Sequence, residues 1–196
     1  MIWLYAIADG LRRLPPVDGI AGAQLTVYDR AGLDIVTTVH EATGIEPSEE
    51  TVLAHARVVE ALVPISFALL PARFGVAFED FPALESALRA RGRELQHSLE
   101  LVRGNVELGL RVAGEEVAAE RLAGDLHACL AERARAAVRN DRPDGRLFLS
   151  SAYLLEPEAI PAFEDAVGAL ESKHPRLTFA LTGPWPAYSF AGMEAA

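Results

Sequence analysis

The chain has 196 residues, 51% hydrophobic and 23% charged, with 18 Lys and Arg against 28 Asp and Glu and a formal charge of −10. So much aliphatic material excludes a disordered acidic tail, and the deficit of basic residues excludes a protein built mainly to grip phosphate backbones. The single Cys129 allows neither an internal disulfide nor a cysteine metal cluster, and it suits a reducing cytosol.

Ile2–Ala8 reads as an opening strand; it lacks the basic start of a signal peptide and meets Asp9 too soon. A loop with Pro15, Pro16 and Gly19 follows. Gln24–Tyr28 and Leu33–Val39 are β-rich runs joined by the four residues Asp29–Gly32, a hairpin signal. Ser48 caps a helix with Glu49 and Glu50 at the positive end of its dipole and an apolar stripe of Val52, Ala56, Val59 and Val63. Pro64 ends it, and Ile65–Leu70 reads as a buried strand. Asp80 caps the next helix, whose face is Leu84, Leu88, Leu95, Leu99 and Val102, and Gly104 stops it.

Val106, Leu108, Leu110 and Val112 alternate with polar or small residues as a half-buried strand. The longest predicted helix runs from Gly114 to about Arg139, and residues 140–145 form a turn. Leu147–Leu155 is a strand, Pro157–Ser172 a helix with Ile160, Phe163, Val167 and Leu170 inward, and Leu177–Thr182 a last strand. Neither 61–72 nor 177–193 reads as a membrane span: the first is too short and the second holds Gly183, Pro184 and Pro186.

This order predicts an α+β protein of two small domains, at least one of them modified ferredoxin-like, with helices packed on mostly antiparallel sheets. The expected domains are 1–80 and 81–196, with the divide falling between 75 and 104.

The usual catalytic and nucleotide motifs are missing from the sequence. No two of the five histidines stand at metal-ligand spacing on one element, and the turn over 140–145 lacks the ligands of a calcium loop, so no metal is expected. Ser150-Ser151 reads as a solvent-facing strand pair. His55 is either a general base at a helix edge or a histidine satisfied by backbone; no acidic or nucleophilic neighbour supports the first. Two segments are unusual. In Leu69–Gly75 an apolar run meets Pro71, Arg73 and Phe74, and in Gly183–Phe190 Trp185 stands between prolines and is followed by Tyr188 and Phe190. Each either packs over a core or offers a surface to a partner.

On these segments the chain resembles the gas vesicle accessory proteins of the GvpL/GvpF type. The resemblance runs through Trp3-Leu4-Tyr5, His55, Leu70-Pro71-Ala72-Arg73-Phe74-Gly75, Glu107-Leu108-Gly109 and Gly183-Pro184-Trp185-Pro186-Ala187-Tyr188-Ser189-Phe190. It departs at Ala187, where the family often has proline, and in the short connection from Gly109 to Leu147. The resemblance implies two α+β domains and a non-enzymatic role: a gas vesicle assembly factor or minor component, in the cytoplasm and at the gas vesicle, that binds the shell protein GvpA and other accessory Gvp proteins. It implies no cofactor and no catalytic residue, and neither nucleic acid nor membrane as a partner. Arg73, Phe74, Trp185, Tyr188 and Phe190 are the candidate partner-binding residues. The competing expectation is a small ferredoxin-like, cofactor-independent enzyme of the monooxygenase kind, using His55 in a pocket. A ferredoxin-like RNA binder fits poorly with the acidic balance.

Overall fold

The computed structural model describes residues 1–41, 44–114, 119–140 and 147–192. The chain forms two compact units, Met1–Arg103 with the chain from Pro186 onward, and Gly104–Trp185. The division falls between Arg103 and Gly104, at the far end of the expected 75–104 range and beyond 80/81. The helices just after 80/81 pack on the first sheet, and the last residues return to the first unit rather than completing the second.

In the first unit the sheet order is β2-β3-β1-β4, with β5 pairing β1, and every pairing is antiparallel. The strands are β1 (Ile2–Asp9), β2 (Thr26–Arg30), β3 (Leu33–Val39), β4 (Ala68–Pro71) and β5 (Ala77–Phe78). β1 runs through the middle and is buried almost throughout, which explains its unbroken apolar sequence. A bulge between Leu4 and Ala6 adds a residue to β1 opposite β3. Trp3, Tyr5, Ala6 and Ala8 consequently join one cluster with Val58, Val59 and Leu62 of α1 (Glu49–Leu62).

The capping box Ser48–Thr51 starts α1 as expected, but its buried stripe is His55, Val58, Val59 and Leu62. Val52 is exposed. The apolar pattern gives the wrong rotation because the central buried residue is a histidine. The β2–β3 connection is also tighter than the expected four residues: Arg30 pairs with Leu33, leaving Ala31 and Gly32 between them. Both have positive φ, 53° and 81°, the backbone of a two-residue hairpin whose twist matches the strands.

The helix expected over 80–103 is two, α2 (Phe81–Ala90) and α3 (Gly92–Val102), broken where Arg91 leaves helical geometry. All five of its expected inward residues, Leu84, Leu88, Leu95, Leu99 and Val102, are buried.

The second unit runs β6 (Val106–Ala113), α4 (Ala119–Ala131), β7 (Ala136–Arg139), β8 (Leu147–Leu155), α5 (Ile160–Lys173) and β9 (Thr178–Trp185). The antiparallel order β7-β8-β6-β9 with this βαββαβ connectivity is the ferredoxin-like arrangement. The first unit has the same strand order, with a loop and a short 3-10 turn (Ile20–Gly22) in place of the first helix. Leu108, Leu110 and Val112 meet Ala123, Leu126 and Leu130 of α4 and Phe163 and Val167 of α5 in one core.

The long helix expected to reach Arg139 stops at Ala131 instead. Arg135 N–H bonds Leu154 O at 2.8 Å, and β7 pairs with β8 from there. An alanine-rich run with good helix propensity thus becomes a strand because a neighbouring edge offers it a ladder. The turn expected over 140–145 lies, beyond Asn140, outside the described residues. The last strand is longer than expected and takes in Gly183, Pro184 and Trp185. Gly183 has φ +117°, and a Cβ there would stand 2.7 Å from Glu107 O, so the closing of β9 onto β6 needs glycine. As an edge strand, β9 tolerates Pro184.

Candidate functional site

Three of the segments that carry the resemblance meet in the first unit. β1 supplies Trp3 and Tyr5, α1 supplies His55, and the chain after β4 supplies Ala72 and Phe74. His55 is 2% exposed, and both of its ring nitrogens are engaged. Trp3 Nε1–H donates to His55 Nδ1 at 3.0 Å, and His55 Nε2–H donates to Ala72 O at 2.8 Å. That pattern fixes a neutral imidazole with its proton on Nε2. Burial pushes the His55 pKa below the usual imidazole range, and the bond to Ala72 O pulls it back in part.

Tyr5 stacks on His55 at 5.1 Å between ring centroids, and Phe74 meets Trp3 edge-on at 4.9 Å. The Tyr5 hydroxyl accepts from Ile20 N–H at 2.9 Å, and burial raises its pKa. Every polar atom of this cluster is occupied by the fold, so His55 has no lone pair for a substrate. The backbone-satisfied reading of His55 is the one observed, with Trp3 as the second partner that sequence spacing could not indicate.

Beside this cluster lies a cavity of about 580 Å³ lined by Met1, Trp3, Glu41, Gly44, Ile45, Gly75, Ala77, Phe78 and Glu79. Trp3, held by His55 and Phe74, forms its buried floor, while Glu41, Gly44, Gly75 and Glu79 are exposed at its mouth. His55 does not line it.

The five candidate partner-binding residues are placed unequally. Arg73 is exposed in the turn after β4, and Phe74 is half-buried against Trp3 and His55. Tyr188 is half-buried against the α1-side cluster, and Phe190 is 8% exposed. The short 3-10 turn Tyr188–Phe190 that carries them lies on α3 and β4. Trp185 ends β9 in the second unit and is 46% exposed.

A second polar group escaped sequence reasoning. His127 of α4 crosses β8 with Nδ1 at 3.0 Å from Ser151 Oγ and 3.3 Å from Tyr153 Oη. Ser151 is 6% exposed, which corrects the expectation that Ser150-Ser151 faces solvent: strand alternation turns Ser151 toward the helix layer with Tyr153. Burial lowers the His127 pKa, with Arg139 adding to the effect, and lifts Tyr153 to about 12. The partners lie 24 residues apart in sequence, on elements that only the fold brings together. They plug the space between α4 and β8.

The family profile described as gas vesicle synthesis protein GvpL/GvpF matches residues 1–121 and 115–192 of this chain. Gas vesicle protein F2 of Halobacterium salinarum is 33% identical over 202 residues, which cover 98% of this chain and 93% of that protein. Gas vesicle protein F of Haloferax mediterranei is 28% identical over 185 residues, covering 91% and 87%. The crystal structure of GvpF from Anabaena matches with a TM-score of 0.81 at 17% identity, covering 97% of this chain and 95% of that one. That of GvpF from Microcystis aeruginosa gives 0.78, also at 17% identity, covering 97% and 98%. At such identity the likeness speaks for the fold.

Proposed function

The chain belongs to the GvpL/GvpF family of gas vesicle synthesis proteins, and on that premise we propose that it is an assembly factor or minor vesicle component that binds the shell protein GvpA and other accessory Gvp proteins. A gas-vesicle-associated role follows from the family itself, and the relatives are named as gas vesicle proteins rather than as enzymes. The observation that carries the reading is that the family match takes in both units. The occupied ring of His55 supports it by removing the general base that the monooxygenase-like alternative requires.

The proposed setting is the cytoplasm and the vesicle. Among the described residues no helix is long and apolar enough to cross a membrane. A formal charge of −10 keeps such a factor soluble beside an aggregation-prone shell subunit. Of the five candidate contact residues, Arg73 and Trp185 have the exposure to meet a partner. Phe74 and Tyr188 are half-buried and Phe190 is buried, all within the first unit.

Capture of GvpA from solution by the tagged chain tests the reading. Trp185→Ala is expected to reduce capture at an unchanged thermal midpoint, whereas Tyr188→Ala is expected to lower the midpoint. If the wild-type chain captures neither GvpA nor another Gvp protein, the proposal fails. If Trp185→Ala binds as well as wild type, Trp185 is not a contact.

A further inference from the structure

β9 is an edge of the second sheet: among the described residues it pairs with β6 and with nothing on its other side. An edge strand carries a row of unpaired N–H and C=O groups, a template for another strand unless charge, proline or shortness blunts it. The other edges are blunted. β2 carries Asp29 and Arg30, the second ion-paired with Glu85. β7 has four residues and ends in Arg139, which is ion-paired with Glu120. β4 ends at Pro71, and β5 has two residues. β9 runs for eight residues, Thr178–Trp185, without a charge.

The length open to a second strand is set at both ends. Leu177 is 7% exposed and belongs to the core, while Gly183 bends the strand at φ +117° and Pro184 has no N–H to offer. Between them lies Thr178-Phe179-Ala180-Leu181-Thr182. Phe179 and Leu181 pack on the core and are only partly covered by it. Thr178, Ala180 and Thr182 are exposed on the opposite face.

This run is self-complementary about Ala180. A two-fold axis through Ala180, normal to the sheet, sets a second copy antiparallel. It places Thr178 opposite Thr182 of that copy, Phe179 opposite its Leu181, and Ala180 opposite its Ala180. Thr–Thr and aromatic–aliphatic pairs are favourable across strands, and no like charges meet. Each copy's Phe179 and Leu181 then cover the part of the other's that the core leaves open. A slip of one residue would set the core face against the exposed face, and a slip of two would shorten the ladder at Leu177 or Gly183. A strand of unrelated sequence would match this edge only by chance, whereas an identical one matches it by symmetry.

We propose that two copies of the chain join β9 to β9 about Ala180, making their two four-stranded sheets one continuous sheet. So short a ladder buries less than a permanent interface does, so the dimer exchanges with monomer as concentration changes. Trp185 lies beyond Gly183 and outside the run, so the pairing does not depend on the shell-protein reading.

Sedimentation of the full chain over a range of concentrations tests this. Wild type is expected to approach twice the monomer mass as concentration rises. Thr178→Glu/Thr182→Glu sets like charges in both outer pairs. It is expected to weaken association about tenfold, with the thermal midpoint at low concentration unchanged. An equimolar mixture of that variant with Thr178→Lys/Thr182→Lys is expected to restore it. A chain that stays monomeric overturns the proposal, and so does a dimer indifferent to these substitutions. If β9 amides gain protection from hydrogen exchange only when shell protein is added, the edge belongs to that partner and the proposal fails.

Cross-linking in a Cys129→Ser background tests the register. Oxidation of Ala180→Cys is expected to give a covalent dimer, because that position faces itself across the axis. Thr178→Cys alone is expected to give none, its two copies standing about 14 Å apart, beyond the roughly 7 Å that a disulfide spans. Mixed with Thr182→Cys, it is expected to cross-link. A dimer in which Ala180→Cys stays unlinked, or Thr178→Cys links to itself, overturns the pairing about Ala180.

Discussion

His55 carries the main lesson at the scale of single residues. A polar side chain at the centre of a helix's buried stripe survives there because both of its nitrogens are bonded, one by an indole and one to a carbonyl. Removing one partner strands the other. Trp3→Phe keeps most of the aromatic volume but leaves Nδ1 buried and unpaired, which is expected to cost about 1–3 kcal/mol in urea unfolding.

The pH dependence has a definite sign. Burial lowers the folded-state pKa of His55, His127 and His40, with lesser causes in each case. Below about pH 6.5 the unfolded chain therefore binds more protons than the folded one. Stability is full above that value and is lost as pH falls through the folded pKa values. Glu85 and Glu94, lowered chiefly by hydrogen bonds from Tyr28 and Arg91 respectively, act in the same direction only in more acidic solution. Urea midpoints between about pH 7.5 and about pH 5 are expected to fall, and His55→Gln is expected to flatten that fall. A rise instead would contradict the neutral, buried assignment.

At the scale of elements, the hairpin between β2 and β3 is the place where sequence and backbone disagree most locally. Ala31 sits at φ 53°, a region that costs an L-residue with a Cβ roughly 1–2 kcal/mol. Its side chain is exposed, so the position is open to substitution. Ala31→Asn, giving the Asn-Gly pair that two-residue hairpins favour, is expected to stabilise the protein by about 1 kcal/mol, read as a raised thermal midpoint. The end of α4 at Ala131 and the conversion of 136–139 to a strand share one cause, the edge of β8 competing with local helix preference. The inward residues of α2, α3 and α5 were legible from their spacing, because each meets a single apolar face. The rotation of α1 was not, because its key residue is polar.

For the whole molecule, the arrangement of the chain matters more than its length. The second unit is continuous, while the first is closed by residues that follow β9. Phe190 and Ala191 are buried there, at 8% and 1% exposure. Truncation after Trp185 is expected to destabilise the first unit by about 2–3 kcal/mol from the lost burial of Phe190 alone, and to leave the unfolding of the second unit, Gly104–Trp185, unchanged. Denaturant unfolding of the full-length and truncated chains checks this. Equal stability of full-length and truncated first units would mean that the return contributes nothing.

The sequence by itself determined the α+β class, the core residues of most elements and, through a few short segments, the family. These depend on spacing and on local motifs, which one chain displays without its fold. It also reduced the choice at His55 to two readings. Tertiary structure decided between them, moved the division of the chain to Arg103 and Gly104, and sorted the aromatic run into an exposed Trp185 and an inward Phe190. It also brought His127 to Ser151. Each of these depends on which elements become neighbours, and hydrogen bonding and burial between distant segments leave no period in the sequence to read.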